Sequence, residues 1–336
     1  MVRARMRALA PESVMSESSR FWSLTRFPNY SNPRLLEEID ALQITEREFT
    51  EQYVHRNRAC LVKHAVRHWP AYQKWSDLGY LKAHSMNRPI TIREQVLSET
   101  VGWSGPEIRD QLRQIAASAA KQVNFHDLLA RFERAKEPLP LVADSCRLSA
   151  GSPLETLRGD VSGLPFMPTL RKSRYYPPYR VFLYSNSYTD WHFHPTDETF
   201  MTQVVGPKDV LLLPPDDESW QQLYPIIQKT GRLYDIDTAR FPGASTLRPY
   251  RVTVEPGDAV FIPVFWWHAV ESVNDNFGVT IAATFPTPLH VNGDMRFPVA
   301  RKLARTYLMS RYAPLVLAAL GYAAVHKLIR GLAGAR

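Results

Sequence analysis

The chain has 336 residues, 45% of them hydrophobic and 11% aromatic, which suits one large domain with a substantial core or at most two. Its two cysteines, Cys60 and Cys146, exclude a disulfide framework, and no stretch near the start resembles a secretory signal, so the expected setting is intracellular and most simply cytoplasmic. Seven of the eight net positive charges lie in residues 301–336 (Arg301, Lys302, Arg305, Arg311, Lys327, Arg330 and Arg336, with no Asp or Glu), so the body is nearly neutral and the basic balance gives no argument for a nucleic-acid face.

Residues 1–40 are polar and rich in Pro, Ser and Arg, and read as a flexible lead-in. Ile44 to Val54 has helical spacing, with Thr45 as cap and Glu48 three residues on. Cys60 to Val66 reads as a strand, Lys74 to His84 as a helix, Pro89 to Arg93 as a short strand and residues 107–135 as helical. From about residue 138 prolines become frequent and short apolar runs alternate with turns. Arg180–Tyr184, Met201–Val205, Val210–Leu213, Tyr250–Val254, Ala259–Ile262 and Val279–Phe285 predict strands, and strands so closely spaced indicate an antiparallel barrel or sandwich. After Pro288 two helices are expected, over about 298–311 and 314–332. Ala313 to Val325 carries no charge, but His326 and Lys327 end the run short of the ~18–20 residues that cross a bilayer. A packing or homodimerisation helix is the first reading of this tail, and a basic apolar segment lying on an anionic membrane is the second.

The chemistry-bearing motif is Trp191-His192-Phe193-His194-Pro195, answered by His268 behind the Pro256-Gly257-Asp258 turn. On a strand, His192 and His194 share one face while Trp191 and Phe193 take the other. A third imidazole from another strand completes a three-point metal site with open coordination positions, as in catalytic sites. By itself a His-x-His is more often a surface pair, and His268 alone would be a satisfied core histidine. The strand after the first motif and the turn before the second favour the metal site.

Arg180 to Phe285 resembles the cupin-type Jumonji-C hydroxylases, in particular the branch of the asparaginyl hydroxylase that inhibits hypoxia-inducible factor. The resemblance rests on His192 to Pro215, on Pro256 to Ser272, and upstream on Phe49-Thr50-Glu51-Gln52-Tyr53 and Trp69-Pro70-Ala71. It implies a mainly β fold, a double-stranded β-helix (cupin or jelly-roll) barrel with an N-terminal helical region and C-terminal helices. The implied domain is 41–290, with its barrel core at about 175–290, followed by a basic helical tail over 291–336. It also implies Fe(II) with 2-oxoglutarate as co-substrate, and hydroxylation of a C–H bond on a protein side chain, a nucleic acid base or a small metabolite, the near-neutral body weighing only weakly against nucleic acid. His192 and His268 match the family's histidine ligands. Lys208 matches the lysine that pairs with the distal carboxylate of 2-oxoglutarate; without that context it reads as an ordinary turn lysine. Thr189 matches a co-substrate-binding threonine, and Thr284 falls where an asparagine often stands near the site.

The chain departs from the family at one ligand. The family's first motif is His-x-Asp or His-x-Glu, and here it is His192-Phe193-His194, with one extra residue before Gln203. Either His194 completes a three-histidine triad, or Glu198 or Asp197 turns inward to restore a carboxylate. The open alternatives are an Fe(II)/2-oxoglutarate oxygenase, an oxidation that needs no 2-oxoglutarate, and a catalytically silent metal-binding cupin that serves as an adaptor.

Overall fold

The computed structural model describes residues 23–94, 120–135, 141–143, 146–173, 176–230, 236, 238–273 and 276–333. In chain order the strands are β1 (Arg34–Leu35), β2 (Glu38–Asp40), β3 (Cys60–Lys63), β4 (Pro89–Glu94), β5 (Ala120–Asn124), β6 (Leu141–Ala143), β7 (Cys146–Arg147) and β8 (Tyr179–Ser185). The barrel continues with β9 (Tyr188–His192), β10 (Asp197–Val205), β11 (Lys208–Leu213), β12 (Tyr250–Val254), β13 (Ala259–Ile262), β14 (Trp267–Ser272) and β15 (Phe277–Pro286). The α-helices are α1 (Glu46–Phe49), α2 (Pro70–Lys74), α3 (Leu78–His84), α4 (Phe125–Arg134), α5 (Asp217–Thr230), α6 (Leu289–Asn292), α7 (Pro298–Tyr307) and α8 (Ala313–Ala333).

Two sheets build the cupin barrel. One runs β1-β12-β11-β14-β9, and the other runs β2-β3-β13-β10-β15-β8-β6-β4-β5, with β7 also on β8. Val210, Leu212, Val252, Val254 and Val270 of the first sheet meet Leu61, Met201, Val260 and Ile262 of the second, so this cluster fills the space between the sheets. The alternate residues face outward. Phe200, Val181, Leu183, Ile281 and Ala283 pack under the N-terminal helices, while Trp191, Phe193, Leu211, Leu213 and Trp267 pack under the segments around α5 and α7. Burial of both faces explains why β11 reads as a continuous apolar run after Asp209. The chain crosses between sheets after β10 at Gly206, whose φ of +69° few other residues adopt.

Several expectations change. Residues 23–40 are no loose lead-in. Leu24 and Phe27 are buried, β1 pairs with β12 and β2 with β3. Ala120–Asn124, expected within a helix, is a strand paired with β4, and the helix starts at Phe125; the remainder of that expectation, 107–119, lies outside the described residues, as do 1–22. The helix expected over Lys74–His84 divides into α2 and α3, with the Asp77 side chain capping the second. The helix α5 was not anticipated. The last helix forms about where expected, but its apolar run, expected to fall short of a bilayer, belongs to α8, the one helix among the described residues long and apolar enough to cross a membrane.

Candidate metal centre

His192 ends β9, directly opposite His268 on β14, so these two imidazoles share a face by register. His194 lies beyond the strand end, yet it joins them. The ring centroids are 4.1 Å apart for His192 and His268, 4.8 Å for His194 and His268, and 5.3 Å for His192 and His194. One ligating nitrogen from each lies within 4.8 Å of the other two. Among the described residues this is the one such group of potential metal ligands.

The surroundings favour the neutral form of two of these rings, His194 and His268. Nδ1 of His268 donates to the Trp266 carbonyl at 3.1 Å, which leaves Nε2 free to bind a metal. Nδ1 of His194 lies 2.9 Å from the Thr199 hydroxyl. Burial, followed by the neighbouring imidazoles, holds both His194 and His268 well below the ordinary histidine range, and the Arg180 guanidinium adds to the effect on His194. Three clustered imidazoles form a donor set that fits a transition metal ion such as Fe(II) or Zn(II).

Neither carboxylate proposed as a substitute ligand joins the group. The pleat that points Thr199 inward points Glu198 outward, where one carboxylate oxygen accepts the Val264 N–H at 3.1 Å. Burial pushes Glu198 up to about 8, so it is largely protonated at neutral pH. Asp197 accepts from the hydroxyls of Ser173 and Thr196, at 2.5 and 3.1 Å. Burial holds the Asp197 carboxyl above the usual carboxylate range as well.

Lys208 occupies the same inner face as His268. It pairs with Ser272, four residues along β14, while His268 pairs with Leu212. The two levels are therefore roughly 13 Å apart at Cα, by the strand rise. Lys208 is buried, its ammonium sits 3.7 Å from the centre of the Tyr184 ring, and no carboxylate among the described residues pairs with it. Burial alone pushes it down to about 7. Thr189 pairs with Val270, midway between the two levels, on the inner face. Thr284 also points inward, beside Thr199, but donates its hydroxyl proton to the Pro177 carbonyl at 3.0 Å.

Three contributors had no sequence motif. Tyr184 provides the ring under Lys208, and Gln203 bonds Thr280 at 2.8 Å beside it. The third is the Pro263–Trp266 turn. Its Val264 and Phe265 N–H groups hold Glu198 and the His194 carbonyl, and its Trp266 carbonyl orients His268. Phe265 makes this turn at φ +73°, a strained value for a bulky residue.

The fold is a cupin barrel, and the inward-facing histidines form a group that could hold a metal ion. Residues 46–285 match the cupin-like domain family, and the chain belongs to that family in its Jumonji-C form. It is 26% identical over 258 residues to Jumonji C domain-containing protein 5 of Drosophila melanogaster, covering 72% of this chain and 58% of that protein. It is 24% identical over 252 residues to the human tRNA wybutosine-synthesizing protein 5, covering 72% of this chain and 76% of that one. A human bifunctional peptidase and (3S)-lysyl hydroxylase is 26% identical over 267 residues, 68% of this chain and 77% of its own length. The chain spans little more than half of the fruit-fly protein, and 51% of an Arabidopsis thaliana lysine-specific demethylase that it also matches. The family includes hydroxylases and demethylases.

Proposed function

We propose that this chain is an Fe(II)- and 2-oxoglutarate-dependent oxygenase that hydroxylates a protein side chain or a small molecule. The observation that carries this reading is Lys208, a buried cation with no carboxylate partner, on the same inner face as three clustered imidazoles. An unpaired ammonium costs stability in such a place unless an anion meets it in the working state. A dicarboxylate that chelates the metal at one end and meets Lys208 at the other fits that arrangement.

In this reading His192, His194 and His268 hold the iron, with the Trp266 carbonyl and the Thr199 hydroxyl fixing two of the rings. Iron held there would activate O2, with 2-oxoglutarate as the two-electron reductant: one oxygen atom would go to the substrate C–H bond and the other to the succinate formed as CO2 leaves. Lys208 anchors the distal carboxylate against the Tyr184 ring, and Thr189 offers a hydroxyl between the two ends. Trp191, Phe193 and Trp267 seal the outer side of the site against water. The three imidazoles bring no negative charge, so the dianionic co-substrate neutralises the metal, and each strengthens binding of the other.

The absence of a carboxylate in the histidine group favours a second reading, a metal cupin that does not turn over 2-oxoglutarate. Anaerobic reconstitution with Fe(II), followed by 2-oxoglutarate titration watched by the visible charge-transfer band, separates the two. The oxygenase reading expects a band that saturates at one equivalent, is lost in His268→Ala, and needs far more co-substrate in Lys208→Ala. Iron binding without a band overturns it.

A further inference from the structure

The C-terminal helix α8 shows the solvent a face that the barrel chemistry does not use. Its 21 residues span roughly 31 Å at 1.5 Å per residue. Only Ala319 in it is buried. Leu315, Leu317, Val325, Leu328, Ile329 and Leu332 are all exposed, Leu328 at 65% and Leu332 at 64%. At 100° per residue these six side chains fall within an arc of roughly 160°. An uninterrupted apolar stripe of this length is far larger than the scattered surface leucines of a soluble protein.

The side of the helix that adjoins the Leu315 edge of this stripe is held by the body. Gly293, after α6, lies against the Ala319 carbonyl, and Tyr322 and His326 stack on His290. A helix held along one side cannot be ringed by lipid while it stays seated, but its free side can lie in the headgroup plane. Around the stripe the charge has a single sign. Residues 301–336 carry seven Lys or Arg and no Asp or Glu. Arg311, Lys327 and Arg330 are exposed, and none of them is ion-paired among the described residues. Two copies of this chain joined along α8 would set two wholly basic segments against each other, whereas an anionic surface complements them.

We infer that α8 is a membrane-docking element that lies in the plane of an anionic lipid surface, its Leu315–Leu332 stripe in the acyl boundary and Arg311, Lys327 and Arg330 among the headgroups. This places the metal centre's protein at a bilayer, whatever the centre oxidises.

The test uses the full chain with large unilamellar vesicles of phosphatidylcholine, or of phosphatidylcholine with 30% phosphatidylserine by design, followed by co-sedimentation at low and high salt. The chain is expected to sediment with the anionic vesicles only, and to be released by salt. Lys327→Gln with Arg330→Gln should weaken this about 25-fold, at about fivefold per charge. Leu328→Gln with Ile329→Gln should abolish it; both pairs are exposed, and unchanged iron binding shows that the barrel is intact. Binding to neither vesicle overturns the inference, as does binding that the leucine–isoleucine pair leaves unchanged. A stable dimer by analytical ultracentrifugation that the same pair dissociates also overturns it.

Discussion

Two buried side chains on either side of the pleat carry opposite electrostatic loads, and both are open to titration. Lys208 is pushed down to about 7 by burial, and a bound dicarboxylate would pull it back up. Below pH 7 the lysine already carries its charge and co-substrate affinity is level. Above pH 7 binding must also take up a proton, so affinity should fall by about tenfold per pH unit; calorimetric titration of the iron-loaded protein at pH 6, 7, 8 and 9 checks this. Glu198 behaves in the reverse way. Its folded value of about 8 lies above the ordinary 4.5, so its contribution to stability is full below pH 4.5 and is lost as the pH rises towards 8. Glu198→Gln should therefore leave melting unchanged at pH 4.5 and raise it by about 5 °C at pH 8.5. The histidines were legible as a motif, although the strand period invoked for them holds only for His192 facing His268, since β9 ends at His192 and His194 joins them from beyond the strand. Tyr184, Thr199 and the Phe265 turn were not, because each meets the site only through strand pairing across the barrel. Glu198 is a candidate substitute carboxylate ligand from its place just after the histidine pair, but the pleat turns it outward.

At the scale of elements, the seat of α8 depends on close backbone approach and on neutral imidazoles. A Cβ at Gly293 would lie 2.1 Å from the Ala319 carbonyl, a backbone atom that cannot swing aside. Gly293→Ala should unseat α8, seen as faster amide exchange over residues 313–326 with barrel amides unchanged. His290 stacks face to face on His326 at 3.7 Å, with His55 edge-on at 5.0 Å. Burial first, then His326, His55, Arg330 and Arg296, push His290 down to about 4, and burial lowers His55 too. Glu51 and Asp294 are the acidic neighbours that partly offset this. The free chain gains a proton near pH 6.5 while the seated form resists it. Docking is thus full above 6.5 and weakens as pH falls towards 4, which exchange of the same amides at pH 7 and 5 would report. The sequence marked this helix over about 314–332, close to its observed bounds, but its charge-free run ends at His326 and gave no sign of what the ring does. The ring turns inward to stack, and the helix runs on to Ala333. In Ala120–Asn124, helix-forming residues yielded to the open edge of β4, a tertiary partner that no local pattern announces.

Over the whole molecule, the barrel is closed by chain that the composition presented as a tail. The Leu24 N–H and the Ser23 hydroxyl both bond Glu271, three residues beyond His268 on β14, at 2.9 and 3.1 Å. Phe27 lies 4.5 Å from Trp191, the outward neighbour of His192. The N-terminal segment thus braces both strands that carry the facing histidines, from the side opposite the histidine group. The strands of the barrel were readable from alternating burial, but this brace was not, because two buried side chains in a polar segment leave no periodic pattern. Phe27→Ala opens a cavity against Trp191 and should cost about 3–5 kcal/mol in urea unfolding. It should also weaken iron retention, since the β9 backbone that sets His192 loses its backing. Ser23→Ala removes one of the two hydrogen bonds to Glu271 and leaves the aromatic contact, so it should cost about 1 kcal/mol and spare the iron. An iron affinity that fell equally in both variants would assign the bracing to Glu271, and one that fell only with Phe27 would assign it to the ring behind His192.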